Sequence, residues 1–227
     1  MKIGIVFILF VYSQFANSTL IELADCTGAE ACTITTSPPD PVQENPNDGV
    51  LLAWDEVQNF TLLTDLRVDR VFDDTATFVE DLGNGDYLIK AGTIVSSHYL
   101  QWDPLGANAT GSVTSTIKLD SQVFAFITAD ANLENSDFLG LPGLDYNDFS
   151  LRGLESGDTT VFNGTDVDID WTASSPGDWT RLITAFSPAA ELSEPRFGLL
   201  ILLLLISLLA FRLKNLSRYK GPANTIG

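Results

Sequence analysis

One histidine, thirty acidic side chains and two cysteines are what this chain of 227 residues offers for chemistry. The histidine, His98 in "VSSHYLQWD", would have to serve any Ser-His-Asp set. If residues 93–102 form a strand, it shares a face with Ile94, Leu100 and Trp102, a structural position and not that of a general base. No Gly-x-Ser-x-Gly turn is present to raise a nucleophile. A glycosidase would need two carboxyl groups about 5 to 9 Å apart, and the sequence does not supply that spacing.

Cation binding is the more interesting use of so many acids. "DVDID" places Asp166, Asp168 and Asp170 at alternate positions, one face of a strand, opposite Val167, Ile169 and Trp171. Neighbouring carboxylates are then about 6.6 Å apart along the chain. Calcium holds its oxygens at about 2.3 to 2.6 Å, so three short side chains on a straight strand do not converge on one ion. A solvated acidic face is the better reading of that stretch. "LDYND", with Asp145, Asn147 and Asp148 in a loop, can curl around an ion and is the calcium candidate, although it lacks the Gly and the distant Glu of an EF-hand. No other cofactor is expected.

Cys26 and Cys32 in "CTGAEAC" are too few for a metal site and lack a nearby His, so they read as a local disulfide, a structural staple. Of the four tryptophans, Trp102 and Trp171 have apolar partners on their strand faces. Trp179, after the turn "SSPGD", is placed either to begin a strand or to stack on a sugar at a rim.

The elements that must carry these residues are short and alternate with period two. Residues 59–68 place Phe60, Leu62, Leu66 and Val68 on one face, and further strands are predicted over 76–81, 86–91, 93–102, 112–119, 122–129, 148–151, 159–162, 167–171 and 179–186. Asn84-Gly85 suits a tight hairpin turn, and residues 130–148 read as a long loop. About ten short strands with no amphipathic helix predict an all-β domain, an antiparallel β-sandwich or jelly roll, over residues 50–188. Residues 19–49 read as a disulfide loop followed by a Pro-rich linker.

Both ends address a membrane. Met1 and Lys2 precede an apolar run over residues 3–12, then Ala16 and Ser18, the layout of a signal peptide over residues 1–18, cut before Thr19. Near the other end a polar stem, 189–196, leads to an apolar transmembrane helix within 197–214, with Arg212, Lys214, Arg218 and Lys220 following. The positive-inside rule puts the tail, 215–227, on the cytoplasmic side. All thirty acids lie between these segments with only seven basic residues, a formal charge of −23. Such a surface repels phosphate backbones, which excludes nucleic acid as a partner.

A Glu-Pro pair, a short apolar helix and a basic cluster together resemble the tripartite PEP-CTERM sorting signal of bacterial exosortase substrates. There a motif, usually Val-Pro-Glu-Pro, precedes the helix; here Leu192, Ser193, Glu194 and Pro195 stand in its place, with Ser193 replacing the first proline and a longer tail. "AGTIVSSHYLQWDP" and "SSPGDWTRLITAFSP" are similar to segments of secreted domains that carry this signal. The resemblance implies processing at Ser193, Glu194 and Pro195 by an exosortase-type membrane protease, release to the cell surface or medium, and a link to extracellular polysaccharide or matrix. The expectation is thus an exported, non-enzymatic module. The alternatives are a calcium-dependent carbohydrate-binding or adhesion module and a carbohydrate-active enzyme on a jelly-roll scaffold.

Overall fold

Alternation with period two becomes strand almost throughout the computed structural model, which describes residues 19–147 and 150–188. The signal peptide, the stem with Ser193, Glu194 and Pro195, the helix within 197–214 and the tail lie outside the described residues, as does Asp148. Among the described residues no helix is long and apolar enough to cross a membrane.

In chain order the strands are β1 (Leu20–Thr27), β2 (Ala31–Ile34), β3 (Val50–Asp55), β4 (Phe60–Thr61), β5 (Leu66–Val68), β6 (Arg70–Val71), β7 (Val79–Asp81), β8 (Tyr87–Ile89), β9 (Ile94–Trp102), β10 (Thr110–Leu119) and β11 (Val123–Ile127). After a short helix α1 (Asp130–Asn135) come β12 (Thr159–Asn163), β13 (Asp166–Ser174) and β14 (Asp178–Thr184). They form an outer sheet in the order β1-β10-β13-β12, a central sheet in the order β2-β3-β9-β14-β11-β6 with β4 also on β9, and a small sheet β5-β8-β7.

The outer sheet has one wet face. Register pairs Val113 with Trp171 and Ile117 with Val167, so inward residues of β10 and β13 lie opposite one another. They pack with Ile169 and Ala173 against Leu51, Leu100, Trp102, Phe126 and Leu182 of the central sheet. The central sheet buries its other face too. There Trp54, Tyr99, Ile127, Trp179 and Ile183 meet Leu62, Leu66, Val68, Ile89, Leu133 and Leu139 from the small sheet, α1 and the loops. A strand between two cores has no solvent face to alternate with, and all seven residues of β14 are buried.

The all-β sandwich expected from the sequence is present, as is the expected disulfide, while several finer expectations are corrected. The sheets are mixed and not purely antiparallel, because β2 runs parallel to β3; the crossover this needs is the Pro-rich stretch 35–49. Residues 19–34, expected as a disulfide loop, supply two strands of the sandwich. The Cys26–Cys32 disulfide is formed and ties β1 of the outer sheet to β2 of the central one. Closing so short a loop removes about 2 kcal/mol of unfolded-state entropy.

The predicted strand over 59–68 is split, since Asp65 turns the chain by accepting the Ala91 N–H at 2.8 Å and leaves Leu63 exposed. The 130–148 loop contains α1 and a 3-10 turn, Asp137–Leu139. Residues 150–151 are irregular, with Leu151 at φ 67 and its N–H on Asp130 at 2.7 Å. The hairpin at Asn84-Gly85 is present, pairing Asp81 with Tyr87, and its positive φ angles fall on Gly83 and Gly85.

Candidate functional site

Where β14 starts, the turn before it is pressed against the end of β9: a Cβ on Gly177 would lie 2.1 Å from the Trp102 carbonyl oxygen. Only glycine fits that approach, and it delivers Asp178 opposite Trp102 with no exposed surface. Asp158, just before β12, is fixed by two backbone N–H groups: Thr172 donates to Oδ1 at 2.7 Å and Glu155 to Oδ2 at 2.8 Å.

Glu155 itself rides on the segment between α1 and β12, which is held at several points. Leu154 donates its N–H to the Thr128 carbonyl at 2.9 Å, and Gly153 lies so close to that carbonyl that a Cβ would be 2.1 Å away. The Arg152 guanidinium grips Asp137 at 2.7 and 2.9 Å and the Tyr99 hydroxyl at 3.1 Å. Glu155, Asp158 and Asp178 therefore converge, each offering an oxygen, with these oxygens within 4.8 Å of one another. Glu155 is exposed and borders a cleft of about 210 Å³ that also touches Thr128, Asp130 and Leu151. Neither carboxylate oxygen of Asp178 meets a hydrogen-bond donor among the described residues.

The electrostatics follow. Burial above all, then sharing with Glu155 and the charges of Asp158, Glu155 and Asp103, pushes the Asp178 carboxyl up to about 9. Burial also raises Asp158, against the pull of the Thr172 and Glu155 N–H groups, and raises Asp103 against the Asn47 N–H and the Ser175 hydroxyl. Three acids pressing on one another, with the Arg70 guanidinium on the Asp158 backbone carbonyl at 3.5 Å, can hold a shared proton or a metal ion.

A second polar cluster is closed. His98 is fully buried; its Nδ1 lies 2.7 Å from Asp55 Oδ1 and its Nε2 3.1 Å from the Thr184 hydroxyl. Thr19 Oγ1 lies 3.1 Å from Nδ1 and 3.3 Å from Nε2, straddling the two nitrogens instead of aligning with one. These are the residue types of a nucleophile, base and acid. A nucleophilic hydroxyl needs one aligned ring nitrogen and room for substrate, and here both nitrogens already have other partners in a buried setting. The cluster acts as a clamp between β3, β9, β14 and the start of β1.

A third is structural as well. Arg181, with no exposed surface, binds Glu56 at 2.6 and 2.9 Å, Asp137 at 3.0 Å, the Leu133 carbonyl at 3.1 Å and the Ser136 hydroxyl at 2.5 Å. It stacks over Tyr99 and Tyr146, each 5.2 Å from its ring centre, with Arg152 nearby on the same rings.

Of the residues singled out from the sequence, Asp168 and Asp170 stand on the wet face of β13 as expected, with Asp168 accepting the Thr116 hydroxyl at 2.6 Å. In "LDYND" the Asp145 carboxylate caps the Asn147 N–H at 2.9 Å, while the Asn147 amide reaches the Val42 carbonyl at 3.4 Å; neither is brought to a third acid among the described residues. All four tryptophans are at most 1% exposed, which removes Trp179 as a sugar platform and places it in the core. The Glu155, Asp158 and Asp178 cluster escaped sequence reasoning because its members are 23 residues apart end to end and sit in turns, "LESGD" and "PGDW". One signal was there: Asp178 opens a run, "WTRLIT", with no polar-apolar alternation, as a doubly covered strand requires.

Protein-family models, curated proteins and solved structures contain no match to this chain.

Proposed function

We propose that the chain is an exported, non-enzymatic β-sandwich module, made with a cleavable signal peptide, sorted through its C-terminal PEP-CTERM-like segment at Ser193, Glu194 and Pro195, and delivered to the cell surface or matrix, where it associates with extracellular polysaccharide. The observation that carries this reading is Thr19, the residue after the expected cut. It is fully buried, and its backbone nitrogen lies 2.7 Å from Asp55 Oδ2, with Oδ1 of the same carboxylate 3.2 Å from the Leu20 nitrogen. An α-ammonium created by cleavage before Thr19 would find its counter-charge already in contact.

Two further features support the reading. The disulfide between Cys26 and Cys32 suits an oxidising compartment. The buried and fully engaged His98, together with four buried tryptophans, favours a binding or structural role over catalysis on sugars.

The test is mass spectrometry of the protein's two ends after expression in an exporting host that carries the sorting protease. The expected species begins at Thr19 and ends near Pro195. A C-terminus intact through Gly227 would overturn sorting and leave a single-pass anchor with its basic tail inside. An N-terminus retained at Met1 would overturn export by a cleaved signal.

A further inference from the structure

We propose that Glu155, Asp158 and Asp178 form a calcium site at the end of the sandwich where the 151–158 segment meets the starts of β12 and β14. This does not rest on how the ends of the chain are processed, so its test and that of the proposed function fail separately.

The geometry has the right scale. Calcium–oxygen bonds are about 2.4 Å, so oxygens on opposite sides of one ion are about 4.8 Å apart, and the three acids offer oxygens within that limit. The donor set is all carboxylate, which suits a hard cation and not zinc. Magnesium demands a strict octahedron at about 2.0 to 2.1 Å, whereas calcium tolerates an irregular shell completed by water. The exposed Glu155 beside its cleft gives both the ion and that water access.

Asp178 is the independent sign of a ligand. It has no exposed surface, and both its carboxylate oxygens lack donors among the described residues. A buried carboxylate without partners is among the costliest arrangements in a protein. A proton shared with Glu155 would satisfy one oxygen and leave the charge of Asp158 facing the pair. A divalent ion answers both oxygens of Asp178 and the two neighbouring charges together. The site is also held in shape: the Thr172 N–H fixes Asp158, the Glu155 N–H ties the loop to Asp158, and Asp178 is the first residue of a covered strand.

The experiment is thermal unfolding of the full-length, disulfide-intact chain in chelator and in about 10 mM CaCl2. With a Kd of about 10⁻⁴ to 10⁻³ M, as in extracellular calcium modules, the expected rise in Tm is about 3 to 10 °C. Glu155→Gln, at an exposed position where the fold is not at stake, should weaken the calcium midpoint about tenfold or more, and Asp178→Asn should abolish the response. As a readout independent of stability, Tb³⁺ luminescence excited through tryptophan should appear in the wild type and be displaced by calcium, because Trp102 pairs in register with Asp178. Equal Tm in chelator and calcium, or a response that survives Glu155→Gln unchanged, overturns the site; in the first case the three acids hold a proton and nothing more.

Discussion

Strands β13 and β14 are joined by a three-residue turn and both begin with aspartate, yet their polar residues meet opposite fates. In β13, on the outer sheet, burial alternates strictly, and Asp168, Asp170 and Thr172 face water. In β14, on the central sheet, Asp178, Thr180, Arg181 and Thr184 are all inside. What differs is the number of layers around the strand. A strand with one wet face can leave its acids solvated at little cost, whereas a strand covered on both faces must find a partner for every polar atom. Three of the four in β14 have theirs: Thr180 donates to the Ile127 carbonyl at 2.9 Å, Arg181 has its five bonds, and Thr184 meets His98. Asp178 is the exception, and the exception marks the site.

Removing a partner inside the central sheet gives the largest effect. Glu56→Gln leaves the Arg181 charge without its main counter-ion in a fully buried position, where breaking such a pair costs about 3 to 5 kcal/mol. Urea unfolding should show that loss. The same kind of change on the outer sheet, Glu22→Gln, breaks an ion pair with Lys118 in which both side chains are largely exposed, and should leave the midpoint nearly where it was. If Glu56→Gln were as mild as Glu22→Gln, the contrast between the two sheets would not hold.

The outer sheet was legible from residues alone because its alternation is a direct image of one wet and one dry face. "DVDID" is read correctly down to which residues point out. The central sheet resists such reading. Tertiary cover supplies its second dry face, and Thr180 and Arg181 are polar residues buried where a one-faced strand would leave them in water. Strands β1 and β2 escaped for a related reason: "LIELADCT" and "ACTI" are half-buried edge segments whose pairing depends on β10, far along the chain, and on β3 across the Pro-rich stretch. The acidic site was invisible because two turns far apart in the chain create it; in the structure Gly153 and Gly177, each within 2.1 Å of a carbonyl if given a Cβ, mark where the backbones crowd together beside it.

The next effect in size is a pH dependence specific to β14. In metal-free buffer the folded chain holds a proton on Asp178 up to about pH 9, while the unfolded carboxyl releases it near pH 4. Between those limits the native state binds more protons than the unfolded one, so stability is greatest on the acid side and falls as pH rises, by at most about 1.4 kcal/mol per pH unit. Glu155, Asp158 and Asp103 press the same way, while the Thr172 and Glu155 N–H groups and the Arg70 charge oppose, acting on Asp158. Denaturant midpoints at pH 5 and pH 8 should show the decline, and Asp178→Asn should flatten it. A wild-type midpoint that rises steadily over that range would mean Asp178 is ionised and satisfied without a cation.

The smallest effect is the sharpest control, Asp168→Asn on the wet face of β13. The amide oxygen still accepts the Thr116 hydroxyl, and the loss of one charge from a row of three acids relieves repulsion instead of adding it. The Tm should move by no more than about 2 °C, and the calcium response should be that of the wild type. Acids spaced along a strand face diverge from any common point, so they gather counter-ions without binding one. Should Asp168→Asn abolish the calcium response while Glu155→Gln keeps it, the ladder on the outer sheet would be the cation surface, and burial would not be what separates a solvated acid from a ligand in this fold.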